Sequence, residues 1–89
     1  MLERELTVSN RLGLHARATA KLVQLLSGFS CAATLAAKGR EVNAKSIMGV
    51  MLLAAGPGTT VLLRVDGADE EAAAAAAAAL FERRFDEDG

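Results

Sequence analysis

The sequence predicts an α+β fold: an open-faced β-sandwich in which a four-stranded antiparallel sheet carries three helices on one face, in the order β-α-β-β-α-β-α. Two observations carry that prediction. Stretches of period-two apolar alternation are interleaved with stretches whose apolar residues share a helical stripe, and Gly, Pro, Ser and Asn gather at the joints between them. A chain of 89 residues encloses only one small core, so a single domain spanning 1–89 is expected.

The first strand is read from Leu2, Arg4, Leu6 and Val8 alternating with Glu3, Glu5 and Thr7. Ser9 to Gly13 is a loop, and from about Ala16 to Ser27 the period changes, with Leu22, Val23, Leu25 and Leu26 on one stripe and Gly28 as the stop. Alternation returns from Phe29 to Ala37, with Phe29, Cys31, Ala33 and Leu35 on one side; Lys38-Gly39 then turns the chain into a short strand around Arg40 to Asn43. Ser46 is a suitable N-cap for a short apolar helix that begins at Ile47, and Gly56-Pro57-Gly58 breaks the chain after it. Thr60 to Asp66 forms the last strand, with Val61, Leu63 and Val65 on one face. Asp69-Glu70-Glu71 opens the last helix, with acids where the helix dipole favours them. The alanine run from Ala72 to Ala79 has the highest helix propensity available and reads as a packed helix anchored by Leu80, Phe81 and Phe85.

Composition removes several classes of function. The hydrophobic fraction is 52% and the charged fraction 24%, which fits a soluble domain, but the many alanines make the core thin and dependent on few large side chains. With a net charge of -1 there is no global field to attract nucleic acid or anionic lipid, so useful positive charge must be local. No stretch reaches the roughly 18 to 20 apolar residues of a membrane span, and the N-terminus lacks the apolar stretch of a signal peptide. Cys31 is the one cysteine, so it reads as a buried small hydrophobe in a reducing cytoplasm. One histidine and one cysteine do not make a metal site, and no glycine-rich loop ending in Lys-Ser or Lys-Thr holds a nucleotide, so no metal or cofactor is expected.

The lone histidine, His15, lies in Gly13-Leu14-His15-Ala16-Arg17, where the loop meets the first helix. A lone histidine at such a junction is more often a surface or capping residue. Yet a helix N-terminus offers unpaired amides and a positive dipole end, and Arg17 can bring a guanidinium fork to the same anion. A nucleophile, backbone donors and an arginine together point to phosphoryl transfer, with His15 as carrier and Arg17 stabilising the moving group. At least one of Ile47, Met48 and Met51 is expected in the core, but apolar residues in so short a second helix cannot all face inward, so an exposed patch for docking partners is expected.

Gly13-Leu14-His15-Ala16-Arg17, followed by Lys45-Ser46-Ile47-Met48-Gly49-Val50-Met51, resembles the HPr family, the histidine-containing phosphocarriers of the bacterial phosphotransferase system. The resemblance covers essentially the whole chain. It implies an HPr-like fold and a carrier in a relay rather than a free-standing enzyme. His15 would take a phosphoryl group on Nδ1 from enzyme I, which draws it from phosphoenolpyruvate, and an enzyme IIA domain would receive it. It also marks Ser46 as a site for a dedicated HPr kinase/phosphorylase. Partners are expected to dock on Ala16, Ala20, Ile47, Met48 and Met51, and the protein is expected to be a cytoplasmic monomer. A second reading is a mainly regulatory binding module of the nitrogen-related branch, controlled by phosphorylation of His15 and Ser46. The family usually has proline directly after the motif arginine. Here Ala18 stands in its place, which frees φ at the helix start and removes no chemical group.

Overall fold

The computed structural model describes residues 1–87, and the last two positions of the expected 1–89 domain lie outside the described residues. The elements follow the expected order: β1 (Leu2–Thr7), α1 (Ala16–Ser27), β2 (Ala32–Ala37), β3 (Arg40–Asn43), α2 (Ile47–Leu52), β4 (Thr60–Asp66) and α3 (Glu70–Glu82). The four strands form one antiparallel sheet in the order β1-β4-β2-β3. Period-two alternation then sorts the sheet's two faces. Leu63 of β4 lies opposite Leu35 of β2, and Leu35 opposite Val42 of β3, on the side that packs against the helices. On the other side Arg64 reaches Glu3 of β1 at 2.6 Å and Glu41 of β3 at 2.7 Å, an exposed ionic row across an open face.

The helix layer reflects the alanine-rich composition. Ala73, Ala74, Ala77 and Ala78 are buried on α3, and their small side chains let the helix lie close over the sheet. The large core residues are few, and Leu22, Leu26, Leu35, Leu63 and Phe85 are all fully buried. Phe85 anchors the end of the chain from outside the helix. Arg84, Phe85 and Asp86 form a turn with φ of 55°, 57° and 60°, and the Phe85 ring packs on Phe81 with centroids 4.9 Å apart. The Lys21 ammonium donates to the Phe85 carbonyl at 2.6 Å and ties this turn to α1.

One boundary differs from the sequence reading, and two helix ends show details that it did not address. The second strand begins at Ala32 rather than Phe29, because the Ser30 and Cys31 amides donate to the Asp69 carboxylate at 2.7 and 2.9 Å instead of joining the ladder. Gly28 does end α1, but with φ of -77° rather than in the left-handed conformation of a glycine stop. Asp69 precedes α3 without capping it, its carboxylate being used at the Ser30-Cys31 corner. The Ser30 amide, and behind it the Cys31 amide, hold that carboxyl below its ordinary range. The tie is therefore complete above that range and is lost as pH falls through the lowered value. Cys31 itself is a free, buried thiol, pushed up by its burial.

Candidate functional site

The loop between β1 and α1 is built around Asn10, which is completely buried. Its side-chain amide donates to the Gly13 carbonyl at 2.7 Å, and the Gly13 amide returns a bond to the Asn10 carbonyl at 3.2 Å, closing a tight turn. The Leu14 amide then donates to the Ala55 carbonyl at 2.9 Å, which fastens this loop to the one between α2 and β4. Gly13 sits at the contact with φ of +70°, and a Cβ there would lie 2.6 Å from the Ala55 oxygen and 2.8 Å from Gly56 Cα. Both its backbone conformation and its surroundings require glycine.

His15 follows as the N-cap of α1, extended at φ -76° and ψ 179°. Its carbonyl accepts the Thr19 amide at 2.9 Å, the first bond of the helix. The amides of Ala16, Arg17 and Ala18 precede that bond and have no partner within the helix. Thr19 Oγ1 donates to the Leu14 carbonyl at 3.1 Å, and Ala18 is fully buried, so the helix start is firm with alanine where the family usually has proline. Arg17 is exposed on the first turn and makes no ion pair among the described residues. Ala16 is exposed and Ala20 half-buried on the same helix.

One neighbour of His15, Glu87, carries no local sequence signal. The ring Nε2 lies 2.5 Å from Glu87 Oε2, and the Asn10 amide donates to Glu87 Oε1 at 3.0 Å. The Asn10 bond, reinforced by His15 and Lys21, keeps the Glu87 carboxyl below the usual carboxylate range.

Ser46 caps α2 as expected, its Oγ accepting the Gly49 amide at 3.1 Å. Packed beside α1, this helix turns only Val50 fully inward, with Leu53 behind it. Ile47, Met48 and Met51 are all exposed, so the expectation that one of them joins the core is corrected. Six residues make less than two turns, and the inward stripe of so short a helix is used up by Val50. Leu52 and, in the loop before His15, Leu12 are exposed as well, which the sequence reading missed. Lys38 donates to the Ala54 carbonyl at 2.9 Å and Arg40 to the Leu52 carbonyl at 3.4 Å, which places local positive charge at the far end of α2.

A family model described as the PTS HPr component phosphorylation site matches residues 2–83. The chain belongs to the HPr family. It is 67% identical over 88 residues to the phosphocarrier protein HPr of Xylella fastidiosa strain Temecula1, covering 99% of both chains. To the HPr of Cupriavidus necator it is 55% identical over 87 residues, 98% of each. Among solved structures, HPr of Thermoanaerobacter tengcongensis superposes with a TM-score of 0.96 at 42% identity over the whole of both chains. The HPr of Bacillus anthracis gives a TM-score of 0.84 at 40% identity, covering 88% of this chain and 93% of that one. As an HPr, the chain is a phosphocarrier component of the phosphotransferase system. Among its described residues, no helix is long and apolar enough to cross a membrane.

The geometry of the loop makes Gly13→Ala a sharp test of how the site is held. Left-handed φ costs about 1 kcal/mol or more for alanine and the overlap with Ala55 a further 1 to 3. We expect a loss of roughly 2 kcal/mol or more in chemical denaturation, with His15 resonances displaced. Wild-type stability and spectra would mean that the loop does not rest on Ala55.

Proposed function

We propose that His15 accepts a phosphoryl group on Nδ1 from phosphorylated enzyme I, which draws it from phosphoenolpyruvate, and passes it to an enzyme IIA domain serving sugar uptake or regulation. The observation that carries this reading is the seat of His15: a partly exposed imidazole at the N-cap of α1, beside three amides with no helical partner. The Nδ1 lone pair attacks phosphorus while the bond from phosphorus to the donor breaks and its electron pair leaves with the donor. The oxygens of the moving group meet amides and a dipole end already oriented toward negative charge, so little reorganisation is needed as the charge arrives. Arg17 supplies a mobile guanidinium on the same turn. Transfer to enzyme IIA is the same step in reverse sense, with His15 as leaving group.

Partners dock on the exposed apolar side chains of α2, Ile47, Met48 and Met51, with Ala16 and Ala20 of the neighbouring α1 at the border. Met side chains suit a surface that must fit more than one partner. The carrier works as a cytoplasmic monomer; the charged side chains Glu3, Arg4 and Glu5 on edge strand β1 and Arg40 and Glu41 on edge strand β3 disfavour edge-to-edge pairing.

His15→Ala is expected to abolish acid-labile phosphate uptake from enzyme I and phosphoenolpyruvate while melting like the wild type. Arg17→Ala should slow transfer more than it weakens enzyme I binding, because the guanidinium acts on charge in flight. Phosphate uptake by the His15→Ala protein overturns the assignment of the nucleophile, and unchanged rates in Arg17→Ala leave that residue a surface side chain.

Ser46 is proposed as the regulatory site of an HPr kinase/phosphorylase. A negative charge at this cap suits the helix dipole, so Ser46→Asp should hold its stability or gain about 0.3 to 1 kcal/mol. The same charge borders the apolar docking side chains, where an unpaired anion resists losing its water. Enzyme I should therefore bind the variant more weakly, and salt should relieve the electrostatic part. Thermal melting and uptake kinetics across a salt series check this; full uptake at low salt, or a markedly lower melting point, reduces Ser46 to a helix cap.

A further inference from the structure

We propose that Glu87 is a positioning residue for the phosphoryl carrier: its carboxylate accepts the Nε2 proton of His15 and so holds the ring in the tautomer whose Nδ1 lone pair is free to attack. This inference rests on the reading of His15 as the phosphoryl acceptor.

Three observations converge on Glu87. Its Oε2 lies 2.5 Å from His15 Nε2, while its Oε1 accepts the fully buried Asn10 amide at 3.0 Å. Both oxygens are thus engaged, and the carboxylate cannot swing away without leaving Asn10 short of a partner. That matters because Asn10 Oδ1 already has no hydrogen-bond partner among the described residues, so the Asn10 side chain is held by its amide end alone. The turn that delivers Glu87 is also built with care. Phe85 is fully buried although it, Arg84 and Asp86 all take left-handed φ, a conformation that non-glycine residues adopt only when their surroundings impose it. The Lys21 ammonium, bonded to the Phe85 carbonyl, fixes the same turn from α1, the helix that His15 caps.

The chemistry follows from the donor and acceptor inventory. An ionised carboxylate has no proton to give, so in a bond to Nε2 the ring must be the donor. A neutral imidazole with its proton on Nε2 has its lone pair on Nδ1, and a carboxylate that fixes the other nitrogen is the usual means of setting which one reacts. The two nitrogens point to opposite sides of the ring, so the contact at Nε2 leaves Nδ1 unengaged by the carboxylate. When Nδ1 bonds to phosphorus, the bond to the donor breaks and its electron pair leaves with the donor. The His15 ring then carries a proton on Nε2 and phosphorus on Nδ1, with one positive charge. Glu87 lies against that charge and compensates it, and the ring returns to its neutral form beside the carboxylate when the group moves on.

The test compares wild type, Glu87→Ala and Glu87→Gln as full chains with phosphorylated enzyme I. In nitrogen-15 NMR of the imidazole at mildly alkaline pH, the wild type should show a downfield Nε2 proton in slow exchange. It should vanish in Glu87→Ala and return in Glu87→Gln, whose side-chain oxygen still accepts. Phosphoryl uptake should fall about tenfold or more in Glu87→Ala at unchanged enzyme I affinity and melting temperature. The Glu87→Gln rate should lie between, since it keeps the tautomer and lacks the charge. An unchanged Nε2 signal, or equal uptake rates in all three proteins, overturns the inference for Glu87 while leaving His15 as carrier. Failure of the wild type to take up phosphate overturns the underlying reading instead.

Discussion

The hydrogen bond from the Leu14 amide to the Ala55 carbonyl joins the two loops on which the candidate site is built. It forms at backbone distance because Gly13 has no side chain to hold the strands of chain apart. On one side the bond continues the pairing of β1 and β4, which runs on past the strands as Val8 exchanges bonds with Thr59 and Gly58. On the other it sets where α1 begins, and hence where its free amides and His15 lie relative to α2. His15, the dipole end and the apolar surface of α2 all inherit their placement from this contact. A candidate site built on two loops gains in precision from being fixed to the sheet rather than to a free loop.

The far end of the chain carries the opposite balance. Three successive left-handed residues cost on the order of 1 to 2 kcal/mol each. Burial of Phe85 returns roughly 1.5 to 3 kcal/mol, which offsets about half of that. The remainder falls to the Lys21 bond and to the group formed by Asn10, Glu87 and His15. The turn and the candidate site thus share contacts, with Glu87 following directly on the turn and bonded to Asn10 and His15. The last described residues therefore lie against His15 rather than trailing away from the fold.

What could be read in the sequence was local. The period-two and helical stripes gave all seven regular elements in order because each is decided by side chains a few positions apart. The cap at Ser46 and the placement of His15 at a helix start obey the same short-range grammar. The resemblance rested on two motifs that sit on the two neighbouring helices α1 and α2. What could not be read was long-range. Glu87 meets His15 across 72 positions, and Asp69 diverts the start of β2 from 38 and 39 positions away. Nothing in Glu87 or Asp69 as residue types distinguishes them from a solvated carboxylate. The inward choice among the apolar residues of α2 was misjudged for a related reason: which one is buried depends on the angle at which α1 and the sheet receive the helix, and Val50 takes the place.

The central claim is that a phosphoryl group on His15 is held by the first amides of α1. Backbone amide NMR of the protein before and after phosphorylation by enzyme I tests it directly, because an amide that donates to a phosphoryl oxygen moves far downfield in its proton shift. The account expects the largest such shifts at Ala16 and Arg17, with Ala18 next and the amides of α3 and the open sheet face nearly still. Phosphorylated protein in which these α1 amides stay in place, or in which the large shifts cluster elsewhere, would contradict it.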